Sequence, residues 1–120
     1  MKEKPINLFL KFWLPVMLYA GLIYYVSSIP QLPIPIEFPW LDKLLHLLEY
    51  SILGFLIKRA LGVSNLSLDV KRLYLLTMLS CLLYGLSDEF HQFFVPGREM
   101  AVGDVYSDAI GGLIGAFFHR

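Results

Sequence analysis

The fold turns on one stretch: Leu73-Tyr74-Leu75-Leu76-Thr77-Met78-Leu79-Ser80-Cys81-Leu82-Leu83-Tyr84-Gly85-Leu86-Ser87-Asp88-Glu89-Phe90-His91-Gln92. From Leu73 to Ser87 there is no charge, and then Asp88, Glu89 and His91 arrive together. Ionisable groups at the end of a membrane-length apolar run are expensive and mark a functional or paired site. The segment is predicted as a helix over about 72–95, closed by the turn Pro96-Gly97. Tyr84, Asp88, His91 and Gln92 share one face of it, and Glu89 points about 100° away from Asp88.

The neighbouring segments repeat the pattern. A helix over about 40–61 carries Asp42, His46 and Glu49 on one face, at i, i+4 and i+7, and Gly62 reads as its C-terminal glycine. A shorter helix over about 103–118 begins with Asp104 and Asp108 at i, i+4. Gly111, Gly112 and Gly115 follow, small residues that let helix backbones approach closely in a membrane. Upstream, Phe12 to Ile36 is uncharged. Its helical part, about 8–28, has roughly the 20 residues a bilayer requires, with Pro15 as a kink point. The alternate prolines Pro30, Pro33 and Pro35 end it in an extended loop. Ser27-Ser28-Ile29-Pro30 is not a signal-peptide cleavage pattern, and the segment reads as a retained anchor.

Composition agrees. The chain of 120 residues is 57% hydrophobic and 17% charged, with a mean hydropathy of +0.60, against about 25% charged for a soluble domain. The formal net charge of +0 leaves no footprint for nucleic acid. Cys81 is the single cysteine, which excludes an internal disulfide and leaves a packing role. Lys2, Lys4 and Lys11 precede the first segment, Lys58, Arg59, Lys71 and Arg72 flank the second loop, and His119-Arg120 ends the chain. By the positive-inside rule both termini and the loop at 62–69 are cytoplasmic. The expected fold is therefore all-α: one domain over 1–120, an integral membrane bundle of four transmembrane helices. The polar ends of the last three helices then converge at the outer face, where the two proline-containing loops can cover them.

Histidines and carboxylates on facing helices are how bundles build metal sites. Asp42, His46, Glu49, Asp88 and His91 form the expected ligand set, and a divalent metal is the cofactor that oxygen and imidazole donors suit. The alternative is a structural network in which these acids, Lys43, Arg98, the histidines and Gln92 satisfy each other. Against it stands the excess of acid, which calls for protons, a bound cation or water. Arg98, on the turn after Val95-Pro96-Gly97, suits either an anion-binding fork or an ion pair with Glu99 or Asp104. His46 reads as base or ligand, oriented by Asp42. Trp13, Trp40 and the tyrosines read as interfacial anchors and packing residues. For Ser27 and Ser28 back-bonding at the helix end is the simpler reading.

Taken together, these motifs resemble the VanZ-like family of small bacterial membrane proteins over nearly the whole chain. The resemblance rests on Ser27-Ser28, on Asp42-Lys43-x-x-His46-x-x-x-Tyr50 followed by Gly54, on Asp88-Glu89-x-x-Gln92-x-Phe94-x-x-x-Arg98, and on Asp104-x-x-x-Asp108-x-x-Gly111-x-x-x-Gly115. It implies a multi-pass protein of the bacterial cytoplasmic membrane, linked to glycopeptide (teicoplanin-type) resistance or to envelope physiology. It brings no settled reaction. The family pattern often has Asn at the position of Asp108, which favours hydrogen bonding there over ligation.

Two functional readings stand. In the first, the protein is a membrane enzyme acting on a lipid-linked or surface envelope substrate. His46, Asp88, Glu89 and Arg98 are then its catalytic candidates, with His46 or Glu89 as base and Arg98 as anion clamp. Asp42, Lys43, Tyr50, Gln92, Asp104 and Asp108 line the substrate. In the second, the same face is a non-catalytic binder of a lipid headgroup, a glycopeptide or an envelope enzyme. A proton or ion pathway ranks below both, because the inner halves of the first and third helices are nearly uncharged. Membrane lipids are the expected surroundings, and a homodimer fits a bundle this small.

Overall fold

The computed structural model describes residues 4–29, 39–64, 67–96 and 102–119, and of residues 39–42 the backbone alone. Among the described residues there are four helices and no strand: α1 (Pro5–Ser27), α2 (Pro39–Val63), α3 (Val70–Phe93) and α4 (Val102–Phe117). The described residues are all-helical in their regular structure, as expected.

Local chemistry sets the helix ends. Pro5 starts α1 at a first-turn position, where its missing N–H costs nothing and its fixed φ suits a helix. The helix therefore begins ahead of Leu8. Pro15 does not simply kink it. The turn before the proline, Phe9–Trp13, is π-helical, with the Leu14 N–H on the Phe9 carbonyl. Pro15 also has no N–H to offer the Lys11 carbonyl, and Arg59 of α2 supplies one instead, Nη2 donating at 3.2 Å. Gly62 does not terminate α2. The helix continues to Val63, and Ser64 closes it with its N–H and hydroxyl on the Ala60 carbonyl. Trp13 Nε1 donates to that hydroxyl at 3.1 Å, so Trp13 ties α1 to α2. Asp69 caps α3 by accepting the Arg72 N–H at 2.8 Å, which starts that helix ahead of Arg72.

The closest packing in the bundle is between α4 and α2. α4 packs most extensively on α2 and next on α3, while α1 lies chiefly on α2. Glycine makes the central contact. A Cβ at Gly111 would strike the Leu47 backbone, one at Gly115 the Ser51 backbone, and one at Gly54 the Gly112 backbone. The glycines of α4 let two helix backbones touch, as their spacing predicts. A small apolar core of Ile23, Tyr50, Leu53, Ile57 and Cys81 fills the space between α1, α2 and α3.

Apart from Ala60, Val95, Val105, Ala116 and the glycines, the other buried side chains are polar. Ser27, His46, Lys58, Thr77, Asp88, Glu89, Gln92, Asp104 and Asp108 are buried, while Leu18, Leu22, Tyr25, Leu45, Leu48, Ile52, Leu83, Phe90 and Phe93 are exposed. A water-soluble domain shows the opposite order. α1 is long and apolar enough to cross a membrane, and only 11% of its most apolar window is buried, so it is not the core helix of a soluble fold. At 23 residues it is about 35 Å long, against a hydrocarbon thickness of about 30 Å. It is the one helix to meet that test among the described residues.

The polar groups are sorted by end. At the end where α4 finishes, buried Lys58 of α2 donates to the Ala116 carbonyl at 2.9 Å, to the His119 carbonyl and to Tyr74 Oη at 3.2 Å, and lies over the Tyr74 ring. A cation from a neighbouring helix thus satisfies the last carbonyls of α4 and faces the negative end of its dipole. Burial, with Lys58 and Arg59 nearby, pushes the His119 imidazole below its ordinary range. At the opposite end lie His46, Asp88, Glu89, Asp104 and Asp108.

The glycine seam is expected to be intolerant. Gly54→Ala and Gly115→Ala each place a methyl into backbone and should destabilise the bundle by about 1–3 kcal/mol. Gly21→Ala meets nothing within 4 Å and should leave stability unchanged. Thermal unfolding of the three variants in detergent checks this.

Candidate functional site

The site is built where α2 enters the bundle, α3 leaves it and α4 begins. His46 of α2 lies between two carboxylates of α4. Its Nδ1 is 2.8 Å from Asp108 Oδ1, and its Nε2 is 3.7 Å from Asp104 Oδ2. Lys43, one turn earlier, pairs with Asp104 Oδ1 at 2.6 Å. The i, i+4 spacing of Asp104 and Asp108 aims both acids at the same strip of α2. Gly85 of α3 gives Asp108 its room: a Cβ there would sit 2.7 Å from Asp108 Oδ2. That oxygen is buried and makes no hydrogen bond among the described residues.

α3 contributes two acids that face different neighbours. Asp88 turns toward α1 and α2, accepting from Ser27 Oγ and, at 3.3 Å, from Tyr50 Oη. Glu89 is fully buried on the other side. One of its carboxylate oxygens, one His46 nitrogen and one Asp108 oxygen lie within 4.8 Å of one another. Both acids are inside because α3 is wedged between α1 on one flank and α2 with α4 on the other. The 100° between them therefore selects a partner rather than separating inside from outside.

The remaining candidates fall around this centre. Tyr50 is buried as a donor to Asp88, and Gln92 is buried on α3 one turn beyond it. His91 stacks on Tyr24 with ring centroids 4.2 Å apart, and its Nε2 is 2.7 Å from Ser28 Oγ. Ser28 gives its hydroxyl proton to the Tyr24 carbonyl, so His91 Nε2 is the donor in that contact. Glu49 lies toward α1, where its carbonyl accepts from Tyr19 Oη at 2.9 Å. Asp42's side chain and Arg98 lie outside the described residues.

Of the expected ligand set of Asp42, His46, Glu49, Asp88 and His91, Asp42 has its side chain outside the described residues, and His46 is the member that falls in a close group of donors among them. Among the described residues, the group within reach of one ion is His46, Glu89 and Asp108. The reason is rotational. A residue three positions on is turned by about 60° from the first, enough to move Glu49 and His91 toward α1. Ser27 is corrected too: its hydroxyl goes to Asp88 rather than back to its own helix, whereas Ser28 does back-bond. The role of Gly85 beside Asp108 was missed, and a glycine one turn before the Asp88-Glu89 pair is the signal that could have found it.

The VanZ/LLP1 family model matches residues 3–120, essentially the whole chain. The chain belongs to the VanZ/LLP1 family. Neither the curated proteins nor the solved structures contain a match to it.

The clamp on Asp88 is open to measurement. Ser27→Ala and Tyr50→Phe each leave a buried carboxylate oxygen short of a donor and should cost about 1–3 kcal/mol. Paired with Asp88→Asn in double-mutant cycles, each should show a coupling of about 0.5–3 kcal/mol. Additive losses would mean that these bonds do not form.

Proposed function

We propose that this VanZ-family protein is a four-span protein of the bacterial cytoplasmic membrane, with both termini in the cytoplasm. Its outward-facing polar site acts on a lipid-linked or surface envelope substrate and contributes to glycopeptide (teicoplanin-type) resistance. The observation that carries this reading is the inversion of the bundle: carboxylates and imidazole inside at one end, leucine and phenylalanine outside along all four helices. Polar groups are held inside a membrane protein when they pair or serve a site. The topology draws further support from the placement of Lys4, Lys11, Lys58, Arg59, Lys71 and Arg72 toward the end opposite the acids, the arrangement that cytoplasmic loops favour.

Within the site, His46 and Glu89 are the groups placed to take a proton, with Asp108 orienting the imidazole. Arg98 is the anion clamp for a phosphate or carboxylate. A non-catalytic binder is the second reading, favoured by the closed pairs Lys43–Asp104 and Ser27–Asp88, which hold shape without offering free chemistry.

Expression in a glycopeptide-sensitive bacterium separates the readings. His46→Ala, Asp88→Asn and Arg98→Ala should each return teicoplanin sensitivity to that of cells lacking the protein, at unchanged protein level. Graded losses with Asp88→Asn tolerated would favour the binder, and full resistance in all three variants would contradict a functional role for this end.

A further inference from the structure

We propose that His46, Glu89 and Asp108 form a binding site for a divalent transition-metal cation of the zinc or manganese kind. The proposal deepens the functional reading of the outer end and rests on it for the ion's role, though not for its binding.

Three observations support it. The first is geometric. Three helices each contribute one donor, and the three donor atoms lie within 4.8 Å of one another. Ligands at 2.0–2.2 Å from a tetrahedral ion stand roughly 3.3–3.6 Å apart, so an ion needs a contraction of about an ångström, within the reach of side-chain rotation. Imidazole with two carboxylates is a donor set for borderline divalent ions rather than for soft ones. The second is the Oδ2 oxygen of Asp108. Asp108 is 0% exposed, and Oδ2 has neither solvent nor a hydrogen-bond donor among the described residues. A buried carboxylate oxygen left in that state costs free energy that a cation would recover. The room it occupies exists because position 85 carries no side chain.

The third is charge. Among the described residues this end of the bundle holds Glu49, Asp88, Glu89, Asp104 and Asp108 against Lys43 and two imidazoles. Lys43 is bonded to Asp104, and Asp88 has neutral hydroxyl partners in Ser27 and Tyr50. Glu89 and Asp108, both fully buried, stand with a single imidazole between three helices. A divalent ion is one way to stabilise two carboxylates held close together in a low dielectric. An ion needs an acid pair and an imidazole from different helices facing one point, which is the arrangement present.

The test is metal binding by the full chain in mild detergent. The protein is stripped with chelator, then titrated with Zn2+ and with Mn2+ by calorimetry and by elemental analysis after desalting. Wild type is expected to retain a single equivalent. Glu89→Met and His46→Ala should lose it. Glu89→Met replaces a buried acid with an apolar side chain of similar size, and thermal unfolding verifies that it is folded. Asp88→Asn, outside the trio, should keep the metal. Absence of binding by folded wild type, unchanged binding by Glu89→Met, or loss in folded Asp88→Asn would each overturn the assignment. The two proposals fail separately. Metal without any resistance phenotype in the variants removes the functional reading alone, and a phenotype without metal removes the metal site alone.

Discussion

The acid–histidine end of this protein depends on how closely α4 approaches α2. Gly111 and Gly115 lie against the Leu47 and Ser51 backbones, and Gly54 lies against Gly112. At that distance Asp108 reaches His46 and Asp104 reaches Lys43. Any side chain along the seam would move α4 outward and draw its acids off α2. Gly85 extends the same logic to α3, whose missing Cβ admits the Asp108 carboxylate. Five glycines on three helices thus fix the position of a carboxylate that would otherwise be excluded from the interior.

α1 is attached by different means. Little of it is buried, and polar contacts run along its length. Arg59 serves the Lys11 carbonyl, Ser64 accepts from Trp13, Tyr19 donates to the Glu49 carbonyl, Tyr84 to the Ala20 carbonyl, and Ser27 to Asp88. In lipid, apolar burial between helices gains little because acyl chains are as apolar as leucine, and packing with hydrogen bonds becomes the adhesive. The bundle's two ends then divide by charge. Lys58 completes the last turn of α4 on one side, and the carboxylates surround His46 on the other.

Much of this was legible in the residues. The uncharged run before Asp88, the i, i+4 pair Asp104 and Asp108, and the glycines behind them announce helices whose polar ends meet. Family membership followed from the same residues. What could not be read was rotational phase. Asp88 and Glu89 are adjacent in sequence, and nothing local says that one faces Ser27 and the other His46. That depends on α3 being flanked on both sides. The broad face shared by i, i+3 neighbours groups Glu49 and His91 with the site, and the turn of about 60° between such neighbours sends them toward α1. Pro15 was legible as a disturbance, but its outcome, a π-helical turn with a guanidinium serving the stranded carbonyl, required knowing that Arg59 lies alongside. Lys58 read as a topological charge, and its place under the end of α4 appears only once the helices are packed.

The central claim is that the acid–histidine end faces outward from a four-span bundle. It is tested most directly by single-cysteine accessibility in intact cells, in a Cys81→Ala background, using a membrane-impermeant thiol reagent. Cysteine at Val102, beside the acidic end, should label without permeabilisation. Cysteine at Ser67, between α2 and α3, should label only once the membrane is opened. Equal labelling of both in intact cells, or the reverse pattern, would contradict the account.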